Sequence, residues 1–262
     1  MAMLAIMIAA ISCSKADHIQ NVNNEYIKSI SFGGRTIQKF FYDLSGKIVE
    51  DHGEFSFNRY LYENERLVKV ETAYDEQAIY SSAVYAGKSE LMTSANSKVN
   101  SYRLYKYDQQ GRLQKIEHYF LMGEKFEFRS MNTFEYEGDH IVKENLHDDT
   151  ERISQIHLYT YDEYGNITNN KYYSTISYTE PELISEISYK YDNYKNPFRI
   201  YSMLNSSALY VSVNNIIETS SILYIDVPGI EKYSVSRQNY LYNKNGYPVK
   251  LTTENNYEEY HY

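Results

Sequence analysis

A short β-hairpin motif occurs in seven copies in this chain and constrains its fold more than any other feature. Residues 105–116 read "YKYDQQGRLQKI": two tyrosines two positions apart, an Asp-x-x-Gly turn and an apolar run. Tyr105 and Tyr107 share one face of a strand because side chains alternate along it. Asp108 can cap a type I turn, and Gly111 supplies the positive φ that the loop requires. The motif therefore predicts a strand, a tight turn and a returning strand.

The second aromatic residue marks each copy, and the spacing between copies is irregular. It falls at Tyr42, Tyr62, Tyr107, Tyr136, Tyr161, Tyr191 and Tyr242. Four copies carry a glycine at the turn position, namely Gly46, Gly111, Gly165 and Gly246. The copies at Tyr62 and Tyr136 are one residue shorter, which indicates tighter turns there.

Tyrosine supplies most of the apolar mass, with 31 Tyr, 10 Phe and no Trp. A phenol combines an apolar ring with a polar tip, which suits half-buried positions on a sheet. Two segments, beginning at Tyr74 and at Tyr201, are the places where a short helix or an irregular loop is expected. The predicted fold is all-β: an antiparallel meander of Tyr-rich hairpins in a curled or elongated sheet, with a sandwich or a partial barrel as possible forms.

The register within a hairpin can also be predicted. If Tyr107 pairs with Leu113, a regular ladder places Lys115 on the face of Tyr105 and Ile116 on the opposite face. Both faces of the sheet would then carry apolar residues, which favours a sheet that curls or is covered on both sides.

The N-terminus resembles that of a bacterial lipoprotein. Residues 1–12 are uncharged and mostly apolar, the length of a signal-peptide core and too short to span a bilayer. "AIS" before Cys13 resembles a lipobox, in which the cysteine becomes lipidated. We therefore expect a signal peptide at 1–12, a lipidated Cys13 with a flexible tether at 13–25, and a single β-repeat domain at 26–262. The alternative is a buried N-terminal element with an ordinary core cysteine.

Residues 103–116, "RLYKYDQQGRLQKI", resemble the unit of YD-repeat proteins. The chain looks still more like shorter lipoproteins of Bacteroidetes-type bacteria that carry degenerate YD-like hairpins, on "YDNYKNPFRI" at 191–200, "NNII" at 214–217 and "YLYNKNGYPVKL" at 240–251. Large YD-repeat proteins form closed shells around toxins, but this chain has too few repeats and no toxin segment. The resemblance implies an antiparallel β meander on an exported, outer-membrane lipoprotein that faces the periplasm or the cell surface.

Composition and motifs exclude several classes of function. A net charge of −9 argues against nucleic acid as a partner. A single cysteine excludes a disulfide framework and a thiolate zinc site. The "HDD" at 147–149 is the best local metal candidate, but it is more typical of a polar turn. No nucleophile elbow, phosphate-binding loop or dinucleotide motif is present, so no cofactor, metal site or catalytic residue is predicted.

Two hypotheses of function remain. The leading one is a lipid-anchored cell-envelope protein that binds or scaffolds, with a glycan or an envelope protein as partner and the membrane reached through Cys13. The alternative is an envelope glycan hydrolase whose acid pair is not visible in sequence. Asp43, Asp108, Asp162 and Asp192 recur in register, but turn capping accounts for them.

Paired tyrosines are the candidate ligand-binding residues, because neighbouring strands could stack them into an outward aromatic strip. The candidates are Tyr105, Tyr107, Tyr159, Tyr161, Tyr189, Tyr191, Tyr240 and Tyr242. If these side chains are buried instead, binding is expected on the irregular segments 74–95 and 201–220.

Overall fold

The computed structural model describes residues 26–75, 90–175, 180–204, 206–225, 229, 231–254 and 256–262. The predicted signal peptide, Cys13 and the tether lie outside these residues. Seventeen strands form a single sheet, and every pairing between them is antiparallel. The prediction of an all-β antiparallel meander is therefore confirmed.

The strands follow one another along the chain with short connections. They are β1 (Ser29–Phe32), β2 (Arg35–Tyr42), β3 (Ile48–Gly53), β4 (Ser56–Glu63), β5 (Arg66–Tyr74), β6 (Ser101–Tyr107), β7 (Leu113–Met122), β8 (Lys125–Glu137), β9 (His140–His147), β10 (Ile153–Tyr161), β11 (Ile167–Ser174), β12 (Glu182–Lys195), β13 (Asn214–Leu223), β14 (Tyr233–Arg237), β15 (Asn239–Tyr242), β16 (Pro248–Thr252) and β17 (Tyr257–His261). A 3-10 helix (Pro197–Leu204) and the short helix α1 (Ala208–Val211) lie between β12 and β13.

The sheet curls into a nearly closed barrel. Each strand from β1 to β13 pairs with the next strand in the chain. Only Gln238 separates β14 from β15, yet β14 pairs with β13 whereas β15 pairs with β16. Because β16 pairs with β17 and β17 with β1, the last strands bring the sheet back to its start. The partial barrel is the predicted form that the chain adopts.

The hairpin turns have the geometry that their residues require. The amide of Asp108 donates to the carbonyl of Arg112 at 2.9 Å, and the Asp108 carboxylate accepts the amide of Arg112 at 2.8 Å. The four turn glycines have φ values of 84° (Gly46), 84° (Gly111), 88° (Gly165) and 80° (Gly246). In the shorter copy at Tyr62, Asn64 and Glu65 have φ values of 46° and 66°, as a two-residue type I′ turn requires.

A β-bulge beside each aromatic pair changes which residues share a face. Tyr107 pairs with Leu113 as expected, but the register then shifts, so that Tyr105 lies opposite Ile116 and Lys106 opposite Lys115. The expectation that Ile116 lies on the face opposite Tyr105 is wrong: Ile116 is 3% exposed and packs in one core cluster with Tyr105. The bulge adds one residue, Gln114, and so reverses the alternation after it. The same shift recurs in five other hairpins. The sheet thereby gains one apolar inner face.

The inside of the barrel is occupied by the connection between β12 and β13, whose described residues, 196–204 and 206–213, we call the plug. Tyr201 is 2% exposed, stacks on Phe40 with ring centroids 5.5 Å apart, and shares a hydrogen bond with the Tyr42 hydroxyl. It belongs to the main core cluster, whose other buried members come from six consecutive strands, β3 to β8. The prediction of a short helix or irregular loop at Tyr201 is confirmed. The segment predicted from Tyr74 lies mostly outside the described residues.

In five of the seven copies a tyrosine hydroxyl ties the hairpin to the one before it, a contact that we call the tyrosine lock. In each lock, the hydroxyl of the second motif tyrosine donates to a main-chain carbonyl near the start of the preceding hairpin's return strand. The distances are 2.9 Å (Tyr62 to Ile48), 2.8 Å (Tyr107 to Leu67), 2.7 Å (Tyr136 to Leu113), 2.8 Å (Tyr161 to Ile141) and 2.5 Å (Tyr191 to Ile167). Burial raises the pKa of Tyr136 to about 12, so the hydroxyl stays protonated and able to donate. Phenylalanine could not make this contact, which explains why the motif uses tyrosine.

A fifth turn of the Asp-x-x-Gly geometry, outside the seven copies, joins β9 to β10. The amide of Asp148 donates to the carbonyl of Arg152 at 2.9 Å, and the amide of Glu151 to the carbonyl of Asp148 at 3.0 Å. Glu151 occupies the glycine position with a φ of 62°. The "HDD" at 147–149 belongs to this turn, where the Asp148 carboxylate accepts the amide of Thr150 at 2.8 Å.

We expect Glu151→Gly to stabilise the protein by about 1 kcal/mol. A side chain in the left-handed region costs about 1–2 kcal/mol, and the greater flexibility of glycine in the unfolded chain offsets part of that gain. Urea denaturation measures the free energy of unfolding. The matched reverse change is Gly165→Ala, at a φ of 88°, where the added Cβ meets no atom closer than 3.5 Å. It should destabilise by about 1 kcal/mol. A Glu151→Gly variant no more stable than the wild type would contradict the turn assignment.

Candidate functional site

The repeat places three layers of side chains inside the barrel. Alternate residues of a strand face the same way. The inward positions are therefore the second aromatic residue, the residue two positions before it and the residue four positions before it. The layer four positions before is polar in six of the seven copies, and we call it the inner polar layer. Its members are Gln38, Asn58, Arg103, Asn132, His157 and Gln238, with Ile187 in the remaining copy.

A cavity of about 170 Å³ lies where part of the inner polar layer meets the plug. Its polar wall is formed by Gln38, Asp51, Asn58 and Arg103. Its aromatic wall is formed by Phe40 from β2, Tyr60 from β4, and Phe198, Tyr201 and Tyr210 from the plug. Polar groups that converge beside aromatic side chains are a feature of small-molecule sites.

Asp51 is the buried charge of this wall, with 2% of its surface exposed. Its Oδ1 accepts the Gln38 amide at 3.2 Å and the Asn58 amide at 3.1 Å. Its Oδ2 accepts the same Asn58 amide at 3.1 Å and the Tyr60 hydroxyl at 2.5 Å. Burial raises the pKa of Asp51, whereas the hydrogen bonds from Tyr60 and Asn58 act in the opposite direction. These four contacts fill the acceptor positions of the carboxylate.

Arg103 is the cation of the same wall. It lies on β6 opposite Val70 and His118. Its side chain forms no hydrogen bond or ion pair with any residue that the structure describes. Its charge is close enough to oppose the rise in pKa that burial causes in Tyr60 and Tyr210. Burial also lowers the pKa of His118, and the charge of Arg103 acts in the same direction. Arg103 is therefore half-buried at the cavity, and none of its donors is used by a described residue.

A second polar cluster, around Glu144, holds the plug in place. Glu144 Oε1 accepts the Asn132 amide at 2.6 Å, and Oε2 accepts the Tyr159 hydroxyl at 2.9 Å. The hydroxyl of Ser206, in the plug, also donates to Oε2. This carboxylate joins the wall to the plug and is satisfied by structural contacts.

The eight candidate tyrosines do not form an outward aromatic strip. Seven of them pack in the hydrophobic clusters of the molecule, and Tyr242 stacks on Tyr194 with centroids 3.9 Å apart. Tyr105 and Tyr159 are buried, at 4% and 7% exposure. The bulges and the plug turn this face inward, which sequence alternation alone did not predict. None of the eight lines the cavity in the part of the chain that the structure describes.

The other expected location, the segment 201–220, does contribute to the cavity. Tyr201, Leu204 and Tyr210 line it. The inner polar layer was not predicted from the sequence, because the motif was defined from its first aromatic residue onward. The position four residues before the second aromatic residue is polar in nearly every copy, and that is the signal that identifies it.

Structural contacts account for the recurring aspartates. Asp43, Asp108 and Asp162 each accept a main-chain amide within their own turn. Asp192 lies within β12 and accepts the main-chain amides of Tyr194 and Asn215 and the hydroxyl of Tyr242. In the described ranges, no three His, Cys, Asp or Glu side chains are grouped so that they could hold a metal ion. The described helices include none that is long and apolar enough to cross a membrane.

Comparisons with known proteins show similarity at the level of fold. No family model and no curated protein matches the sequence. A porin-like protein from Bacteroides vulgatus is 13% identical with a TM-score of 0.54, over 90% of this chain and 98% of that one. A porin-like protein from Bacteroides uniformis is 9% identical with a TM-score of 0.46, over 88% and 90%. A TcdB2-TccC3 structure is 12% identical with a TM-score of 0.28, over 86% of this chain and 13% of that one. The chain thus shares its fold with the Bacteroides vulgatus protein over nearly the full length of both.

Proposed function

We propose that this protein is a lipid-anchored cell-envelope protein that binds a small molecule inside its barrel without converting it. The observation that carries the proposal is the cavity of about 170 Å³ between Asp51, Arg103 and the aromatic side chains of the plug. A plug that served packing alone would favour apolar contacts at native density here. A charged side chain beside a cavity is costly unless its hydrogen bonds are made, and a ligand would supply the acceptor that Arg103 does not find among the described residues.

The location rests on the sequence of the N-terminus. Residues 1–12 resemble a signal peptide, and Cys13 follows a lipobox-like stretch. The structural neighbour from Bacteroides vulgatus is described as porin-like, a description typical of an envelope protein. We extend the envelope location to this chain, with the outer membrane reached through the lipid on Cys13.

The plug and the outer surface argue against conduction through the barrel. The plug occupies the interior, where Tyr201 is 2% exposed. Ion pairs join outward side chains of neighbouring strands, such as Arg59 with Glu50 at 3.1 Å and Lys143 with Glu135 at 2.8 Å. A surface of paired charges favours contact with water. The plug inside the barrel and the charged outer surface of the sheet together favour a binding role over conduction.

The geometry favours binding over glycan hydrolysis. Glycoside hydrolases use two carboxyl groups about 5–10 Å apart on either side of the bond that is cleaved. Asp51 is the one carboxylate among the described residues that line the cavity, and its acceptor positions are filled. The cavity also suits a molecule of about six to ten non-hydrogen atoms, since one of about 150 Å³ holds benzene. A glycan chain or an envelope protein would have to bind elsewhere on the molecule.

We expect the full-length protein, purified in detergent, to gain thermal stability with at least one compound of this size. The test is a melting-temperature screen with neutral, anionic and cationic small molecules, because binding to the native state raises Tm. Leu204→Trp, which fills the cavity, should abolish the shift. Met203→Trp is the matched control, since Met203 lies next to Leu204 in the 3-10 helix but does not line the cavity.

Two results would overturn this proposal. One is a screen in which no compound of that size raises Tm. The other is an equal shift in the wild type and in a folded Leu204→Trp variant, which would locate binding outside the cavity. The bound compound should also be recovered unchanged; a product formed by the wild type but not by Asp51→Asn would establish catalysis.

A separate prediction concerns the anchor. Metabolic labelling with a fatty-acid analogue in a bacterial host should label the wild type and fail to label Cys13→Ala, because the thiol is the attachment point in lipoproteins that carry a lipobox. Label that persists in Cys13→Ala would refute lipidation at this residue, whereas loss of label with unchanged expression supports it.

A further inference from the structure

We propose that the cavity binds a small monocarboxylate, with its carboxylate on Arg103 and its apolar body against Phe198, Tyr201 and Tyr210. This inference rests on the proposed function, which assigns the cavity as a ligand site, and adds the chemical class of the ligand.

Hydrogen-bond capacity determines the sign of the ligand charge. The acceptor positions of Asp51 are taken by Gln38, Asn58 and Tyr60, and Asn58 uses its own oxygen to accept the Thr72 hydroxyl at 2.7 Å. The acceptor positions of the only carboxylate in the described lining are occupied, and Arg103 adds a positive charge to the same lining with no described partner. A cationic ligand is therefore disfavoured.

Unused donors face the same space. The Arg103 guanidinium carries five N–H donors and is paired with none of the described residues. Tyr210 also lines the cavity, and its hydroxyl has no hydrogen bond to a described residue. Both side chains are half-buried, so a ligand acceptor would replace water on them, and the planar fork of a guanidinium matches a carboxylate through two parallel hydrogen bonds.

The size and charge of the site favour a carboxylate over a phosphate. Arg103 supplies one positive charge, and Asp51 lies in the same wall. A phosphate monoester carries close to two negative charges at neutral pH and would be repelled more strongly by that carboxylate. The plug side is aromatic, with the Phe198 and Tyr210 rings packed edge to face at 6.4 Å. A monoanion with a compact apolar body fits both walls.

Matched probes test this assignment. Benzoate and hexanoate would be compared with benzamide and hexanamide, which have nearly the same shape without the charge, and with phenyl phosphate and inorganic phosphate. Calorimetric titration of the full-length protein at pH 7 should show a carboxylate binding at least about tenfold more tightly than its amide, the ratio expected from one charge-assisted contact of about 1.4 kcal/mol.

Variants identify the residue responsible. Arg103→Met should remove the preference for carboxylate over amide, while Arg103→Lys should keep part of it, since a lysine retains the charge without the fork. Arg59→Met is the matched control, because Arg59 lies on the outer face and pairs with Glu50. Circular dichroism and Tm confirm that each variant is folded.

The possible results distinguish a failure of the carboxylate assignment from a failure of the proposed ligand site. Amides that bind as tightly as carboxylates, with binding lost in Leu204→Trp, would overturn the carboxylate assignment and leave the cavity as a ligand site. The same holds if phosphates bind best, or if folded Arg103→Met keeps the carboxylate preference. If no probe of any charge binds, the carboxylate assignment and the use of the cavity for ligands of this size both fail.

Discussion

The hydroxyl of Tyr107 donates a hydrogen bond to the main-chain carbonyl of Leu67 in the preceding hairpin, and the same contact recurs from copy to copy along the sheet. Ladder hydrogen bonds join neighbouring strands at any register, but this contact forms only if the tyrosine ring lies across the inner face at one distance from the turn. It therefore couples the position of each hairpin to that of its neighbour. With every ring on the same side, the sheet has an apolar concave face that must be covered.

The plug covers that face and creates the candidate site. At the turn end, rings of the two aromatic layers pack with Tyr201 in one core cluster. Two positions further along the strands, the inner residues become polar, and the plug meets them in two ways. Glu144 is satisfied by Tyr159 and Ser206, which fixes the plug to the wall. Near Asp51 and Arg103, the cavity lies between the strands and the plug.

Local chemistry explains which features were predictable from sequence. Turn glycines such as Gly111 and capping aspartates such as Asp108 act within five residues, so their roles follow from spacing alone. The bulge at Gln114 has no sequence signature, and it reversed the predicted face of Ile116. The turn at Glu151 lacks both the aromatic pair and the glycine, so it escaped the motif. The cavity depends on contacts between different copies of the motif, such as Tyr60 with Asp51, and between residues far apart in the chain, such as Tyr201 with Tyr42. No spacing within one repeat encodes them.

The role of the tyrosine lock is tested most directly by removing hydroxyls and nothing else. Urea unfolding of Tyr62→Phe, Tyr107→Phe, Tyr161→Phe and the triple variant would be compared with Tyr102→Phe, whose ring stacks on Tyr119 and whose hydroxyl makes no hydrogen bond with the described residues. Each lock should contribute about 1 kcal/mol to the free energy of unfolding. The triple variant should lose about 2–3 kcal/mol, because Tyr161 lies in a different cluster whereas Tyr62 and Tyr107 are close enough to couple. Tyr102→Phe should stay within about 0.5 kcal/mol of the wild type. A triple variant as stable as Tyr102→Phe would contradict the account.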